Sequence, residues 1–193
     1  MPDCLIGETA SPLTAIAHLK QLCGHPSLVR DADDNKRDTD TLIGDSAKLQ
    51  VLFDLVQRLK RAGHRSLIFS QSTKMLDIIE KVFDGYVSFL RIDGQTAEKF
   101  RQRNVDHFND LSSGIDCMLL STKAAGVGIT LNGANRAIIY DPSWNPAEDM
   151  QAIDRCYRIG QTRNVTVYRF ITSGTVEEKM YEKQGKTFGT SRL

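Results

Sequence analysis

The sequence predicts an α/β fold: a mostly parallel sheet with helices on both faces, flanked by further helices at its two ends. Three observations predict it. Short apolar runs such as Ser66-Leu-Ile-Phe-Ser70 and Cys117-Met-Leu-Leu-Ser121 read as strands buried on both faces. Amphipathic helical stretches alternate with them, the pattern of parallel strands joined by crossover helices. The loops richest in Gly, Ser, Asp and Pro each follow the carboxyl end of a strand, where such sheets bind ligands.

Taken in order, Thr14 to Leu22 reads as a helix that stops near Gly24-His-Pro26. Arg30 to Asp40 is polar, aperiodic and of mixed charge, and is expected to be a loop. Ser46 to Ala62 carries Leu49, Leu52, Phe53, Val56 and Leu59 on one helical face, and Gly63 ends it. Strand Ser66–Ser70 follows, then a helix bearing Met75, Leu76, Ile78, Ile79 and Val82. Val87 to Ile92 is the second strand, Thr96 to Asn109 a charged helix, and Cys117–Ser121 the third strand. Arg136 to Asp141 is the fourth strand and Val165 to Phe170 the fifth. Thr175 to Gln184 is the last helix, and Gly185 to Leu193 is expected to fray. The expected organisation is a lead-in helix and loop over 1–44, the sheet domain over 45–173, and a brace helix with its tail over 174–193.

Composition narrows the function classes. The chain has 193 residues, enough for one substantial core, with 40% hydrophobic and 25% charged residues. A net charge of +1 gives no global basic field, so nucleic-acid binding would need a local patch. The start shows no signal-peptide pattern, and no segment approaches the ~20 apolar residues of a membrane span. Cys4, Cys23, Cys117 and Cys156 lack metal spacing, as do His18, His25, His64 and His107. Buried reduced thiols are the expectation for Cys117 and Cys156.

The stretch Gln151-Ala-Ile-Asp-Arg-Cys-Tyr-Arg-Ile-Gly-Gln161 carries the most chemistry. Read as a helix, it puts Gln151, Asp154, Arg155 and Arg158 on one face, with apolar residues around much of the rest. Asn145 is a suitable N-cap, Pro146 fits the first helical position, and Glu148 is placed for a capping box. A polar stripe with two guanidiniums on a buried helix suits a phosphate-bearing ligand. The structural alternative is a local Asp154–Arg158 ion pair.

Ser121-Thr-Lys-Ala-Ala-Gly-Val-Gly128 follows a strand and would let backbone amides approach a phosphate; a simple glycine turn accounts for it equally well. It is no dinucleotide fingerprint, since Leu131 stands where the third Gly belongs. Gly185-Lys-Thr187 is no P-loop either: Met180 takes the place of the leading Gly, and no strand precedes it. Trp144 sits between Pro142 and Pro146 at a strand end, placed to stack on a base or to pack over a neighbouring loop. Lys99, Arg101, Arg103 and His107 form either a phosphate-facing set or a solvated helix face.

Together these motifs resemble the C-terminal RecA-like lobe of Swi/Snf-type ATPases in helicase superfamily two. The resemblance runs from about Leu13 to Gln184. It is carried by Leu19-Lys-Gln-Leu-Cys-Gly-His-Pro26, Phe69-Ser-Gln71, Arg91-Ile-Asp-Gly94 with Arg101, Ser121 to Leu131, Asp141-Pro-Ser-Trp-Asn-Pro146, Gln151 to Gln161 and Thr175-Val-Glu-Glu-Lys179. The Trp loop and the Gly174 to Lys179 segment resemble the Cockayne syndrome B and PICH branch in particular. The resemblance implies a RecA-like three-layer sandwich. It implies that Arg155 and Arg158, ordered by Gln151, reach the ATP γ-phosphate, with Gly126, Gly128 and Asp154 near the nucleotide. It also implies that Ser70, Gln71, Gly94, Arg101, Thr122, Lys123 and Trp144 face duplex DNA. Lys123 and Ala125 depart from the Arg and Gly usual there, which weakens the case for contact at Lys123. ATP and Mg²⁺ would be held mainly by an N-terminal RecA-like ATPase lobe, and the implied setting is nuclear. A non-catalytic DNA- or protein-binding module is the competing expectation.

Overall fold

The computed structural model describes residues 11–29, 37–125, 128–158 and 160–189. Five strands form one sheet: β1 (Ser66–Ser70), β2 (Phe89–Ile92), β3 (Cys117–Ser121), β4 (Arg136–Ile139) and β5 (Thr166–Arg169). All pairings are parallel, in the order β2-β3-β1-β4-β5. The helices are α1 (Pro12–Gly24), α2 (Thr39–Gly44), α3 (Ala47–Arg61), α4 (Thr73–Phe83), α5 (Glu98–Asn109), α6 (Thr122–Ala125), α7 (Pro146–Ile153) and α8 (Val176–Gly189).

Strand alternation divides the core in two. Ile68, Leu119, Ile138 and Tyr140 face one way, into a cluster with Leu49, Leu52 and Val56 of α3 and Ile79 and Phe83 of α4. Leu67, Phe69, Met118, Leu120 and Ile139 face the other, against Val105 and Phe108 of α5 and Ala152 and Ile153 of α7. The result is the expected three-layer sandwich. Cys117 and Cys156 are buried free thiols, and burial pushes the Cys156 thiol up to about 11.

Local rules explain the helix starts. Ser46 and Ser72 accept hydrogen bonds from Leu49 N and Met75 N, and so cap α3 and α4. Besides α6, which forms where a loop is expected after β3, three elements differ from the sequence expectation. Arg37 to Asp40, expected in a loop, lead into α2: Asp38 caps Thr41 N at 2.9 Å, and Arg37 pairs with Asp45 at 2.6 Å. Residues 30–36 lie outside the described set. The last helix continues to Gly189, because Gly185 weakens a helix by only about 1 kcal/mol and does not stop it. The third difference, at the end of α7, falls in the site.

The strand order places the functional edge. The chain leaves β1 towards one side of the sheet and β4 towards the other, so a crevice opens between their carboxyl ends. There Gln71 N donates to both carboxylate oxygens of Asp141, at 3.0 and 3.1 Å.

Candidate functional site

The segments after β2, β3, β1 and β4 carry Gly94, Thr122 with Lys123 at the start of α6, Gln71, and Trp144. The sheet order therefore lays these residues in one row along the carboxyl edge. Three strand spacings of about 4.8 Å make the row roughly 14 Å long.

Members of the row differ in what they offer. Trp144 is 54% exposed, and Gly94 and Lys123 are exposed. Thr122 and Ser70 are buried; the Ser70 hydroxyl closes its own turn with Ser72 N at 3.2 Å. Arg101 is largely covered and donates to Thr96 O at 3.3 Å, bracing the turn that presents Gly94. Asp93 fixes the same turn by accepting from Gln95 N at 2.9 Å.

The Trp loop rests on a buried charge network. Lys48 pairs with Glu177 at 2.6 Å, both side chains withdrawn from water. Asp149 lies 3.8 Å from Arg169 and accepts from Ser143 N at 3.1 Å. Gln184 of α8 donates to Ser143 O at 2.5 Å. Burial pushes the Asp141 carboxyl up to about 6, against the opposing effect of its bonds from Gln71 N. Burial also lowers the Lys20 ammonium, while Asp141, Glu177 and Asp149 act to raise it. Sequence reading singled out Trp144 but not the network beneath its loop. Lys48 and Glu177 are 129 positions apart, so no local pattern marks them as a pair.

The arginine segment is not one helix. α7 ends at Ile153, and Asp154 to Cys156 form a turn. Arg155 N bonds to Ala152 O and Cys156 N to Ile153 O, the tighter spacing of a closing turn. Leu131 N then takes the Arg155 carbonyl at 2.9 Å, an acceptor a continuing helix would need. Gln161 locks the exit by donating to Ala134 O at 2.6 Å and to Asn132 O and Cys156 O at 3.2 Å. Gln151, Asp154 and Arg158 remain exposed, whereas Arg155 is 5% exposed. Burial lowers the Arg155 guanidinium, and the Arg158 charge lowers it further.

Arg158 does not make the local pair with Asp154. It donates to Gly128 O at 3.1 Å and Thr130 Oγ1 at 2.9 Å, both neutral acceptors. Gly128 has φ +44°, a conformation suited to glycine. Gly126 lies outside the described residues. Asn145 caps α7 through Ala147 N at 3.1 Å. The capping box does not form: Glu148 accepts instead from the Ser143 hydroxyl at 2.7 Å, so it serves the Trp loop.

Among the described residues no group of three or more His, Cys, Asp or Glu side chains could hold a metal ion. What they offer a triphosphate is guanidinium donors.

The family model described as the helicase conserved C-terminal domain matches residues 47–160. The chain is 45% identical to a Danio rerio DNA excision repair protein ERCC-6-like, over 93% of this chain and 14% of that protein. It is 42% identical to the Saccharomyces cerevisiae DNA repair and recombination protein RAD26, over 94% of this chain and 17% of the relative. The chain thus spans about a sixth of these relatives' length or less. Among solved structures, the C-terminal part of the Fun30 ATPase domain superposes with a TM-score of 0.69 at 36% identity, covering 86% of this chain and 53% of that one. With the RecA-like sheet and the ordered motifs agreeing, the chain belongs to the helicase conserved C-terminal domain family, as a lobe of the Swi/Snf type.

Proposed function

We propose that this chain is the second motor lobe of an ATP-dependent double-stranded DNA translocase of the repair and chromatin-remodelling kind, acting in the nucleus. The observation that carries the proposal is Arg158: an exposed guanidinium, held by uncharged oxygens beside Gly128, in the segment that follows α7. Each of these bonds sets a cation against an uncharged acceptor, and a phosphate, which brings an opposite charge as well, forms the stronger bond.

In this reading an N-terminal RecA-like lobe, in cis or in trans, holds ATP with Mg²⁺. Closure of the two lobes brings Arg158 to the γ-phosphate, with Gln151 and Asp154 exposed on the same segment, whereas Arg155, buried here, joins it only if closure uncovers it. Gly94, Gln71, Lys123 and Trp144 line one side of the duplex track, backed by Ser70, Arg101 and Thr122. Arginine supplied to a transferring phosphoryl group is worth ~10³–10⁵ in rate. Alternating closure and opening then moves the lobes along the duplex.

The test is DNA-stimulated ATP hydrolysis by a two-lobe protein carrying Arg158→Ala. Turnover is expected to fall at least about tenfold while duplex affinity stays unchanged. Unchanged turnover would sink the assignment and favour a non-catalytic binding module.

A further inference from the structure

Helix α1 precedes the sheet and touches it sparingly: Gly24 is its only residue classed as buried. That end is pinned. Gly24 O accepts from the Tyr140 hydroxyl at 2.8 Å and from the Ser46 hydroxyl at 3.2 Å. His25, fully buried, places its Nε2 2.9 Å from Leu42 O. Anchoring at Gly24 fixes the rotation of the helix, and the residue four positions earlier falls on the same face. That residue is Lys20.

The Lys20 ammonium lies over the crevice between β1 and β4. It donates to Gln71 Oε1 at 3.2 Å and to Pro142 O at 3.0 Å, and sits 5.9 Å from the centre of the Trp144 ring. One cation thus binds the side chain of the loop after β1, the backbone of the loop after β4, and the face of the aromatic that loop presents. Gln71 and Trp144 are the two residues of the DNA-facing row nearest the switch point. The Lys20 charge is already committed to three partners and surrounded by Asp141, Asp149 and Glu177. It is therefore poorly placed to serve as a phosphate contact itself.

We propose that Lys20 is a positioning residue for the DNA track: it fixes Gln71 and Trp144 relative to each other and ties both to α1. The inference rests on the duplex-binding reading of that row. A chain segment ahead of the sheet would then set how stiffly the track is presented, and pulling α1 away would loosen both loops at once.

Trp144 is the chain's single Trp, so its fluorescence reports on this loop without labelling. The experiment compares the 193-residue wild-type chain with Lys20→Met and Lys20→Arg, measuring acrylamide quenching of Trp144, thermal unfolding, and duplex DNA binding over a salt series. Lys20→Met is expected to raise quenching and to weaken duplex binding about fivefold, as for loss of about 1 kcal/mol of hydrogen bonding, while Lys20→Arg restores both. The slope of log affinity against log salt is expected to stay unchanged, whereas removing a direct phosphate contact would reduce it by about 1. In a Trp144→Ala background, Lys20→Met should cost less affinity than in the wild type, leaving only the share carried through Gln71. Unchanged quenching in Lys20→Met, or a reduced salt slope, overturns the positioning role. Failure of the wild-type chain to bind duplex while quenching still responds to Lys20→Met would sink the DNA reading and leave the loop coupling standing.

Discussion

The Trp loop and the arginine turn flank α7 at its two ends, and they are held by opposite means. Under Trp144, acids and bases are buried together: Lys48 with Glu177, Asp149 with Arg169, Asp141 near Lys20. Around Arg158, Gln161, Cys156 and backbone groups secure the turn through neutral bonds to the segment 131–134, and Arg158 itself rests on neutral oxygens. The proposed function gives the difference a reason. A track that meets DNA must keep its shape, and buried ion pairs resist rearrangement because separating them exposes an uncompensated charge. A guanidinium that must reach an incoming phosphate is better left on weak acceptors, without a carboxylate competing for it.

This contrast can be broken in order of effect. Arg158→Ala should lower turnover of a two-lobe protein at least tenfold, on a scale where such arginines are worth ~10³–10⁵, yet cost only about 1–2 kcal/mol of unfolding free energy through its two exposed hydrogen bonds. Glu177→Ala should do the reverse. It strands the buried Lys48 ammonium and is expected to cost about 3–5 kcal/mol in urea unfolding, with loss of the brace between α3 and α8. Trp144→Ala should leave stability nearly unchanged. It should weaken duplex stimulation of hydrolysis by roughly the 1–3 kcal/mol of an aromatic–base contact, read as a higher DNA concentration at half-maximal rate. If stimulation persists unchanged, Trp144 is packing only.

The smallest effect concerns pH. Asp141 titrates at about 6 in the folded chain, above the ~3.9 of an unfolded aspartate. Its contribution to stability is therefore full below about 3.9 and is lost as pH rises through about 6. Asp141→Asn should remove that dependence, so the wild type gains on the variant as pH falls from 7 to 4 in thermal melts. Parallel curves would show that Asp141 does not titrate in this window.

Sequence periodicity revealed most of the sheet. β1 and β3 occupy their expected residues, and the apolar faces of α3 and α4 are the ones read from spacing. Such elements are set by local pattern, which one sequence contains. What escaped depends on groups far apart in the chain. α7 stops at Ile153 and tightens into a turn whose Arg155 carbonyl is taken by Leu131 N, a tertiary bond that no helical spacing encodes. The stripe from Gln151 to Arg158 was legible as chemistry but not as geometry. Lys20 illustrates the same limit: it lies in an ordinary helix, and its meaning comes from partners 51 and 122 positions away.

The central claim is that this chain holds half of an active site. Its most direct test mixes the purified chain with a separately produced P-loop lobe, ATP, Mg²⁺ and duplex DNA, and follows phosphate release. Wild-type chain is predicted to restore DNA-dependent hydrolysis, and Arg158→Ala chain to fail while still binding duplex. Equal restoration by both chains, or hydrolysis by this chain alone, would contradict the account.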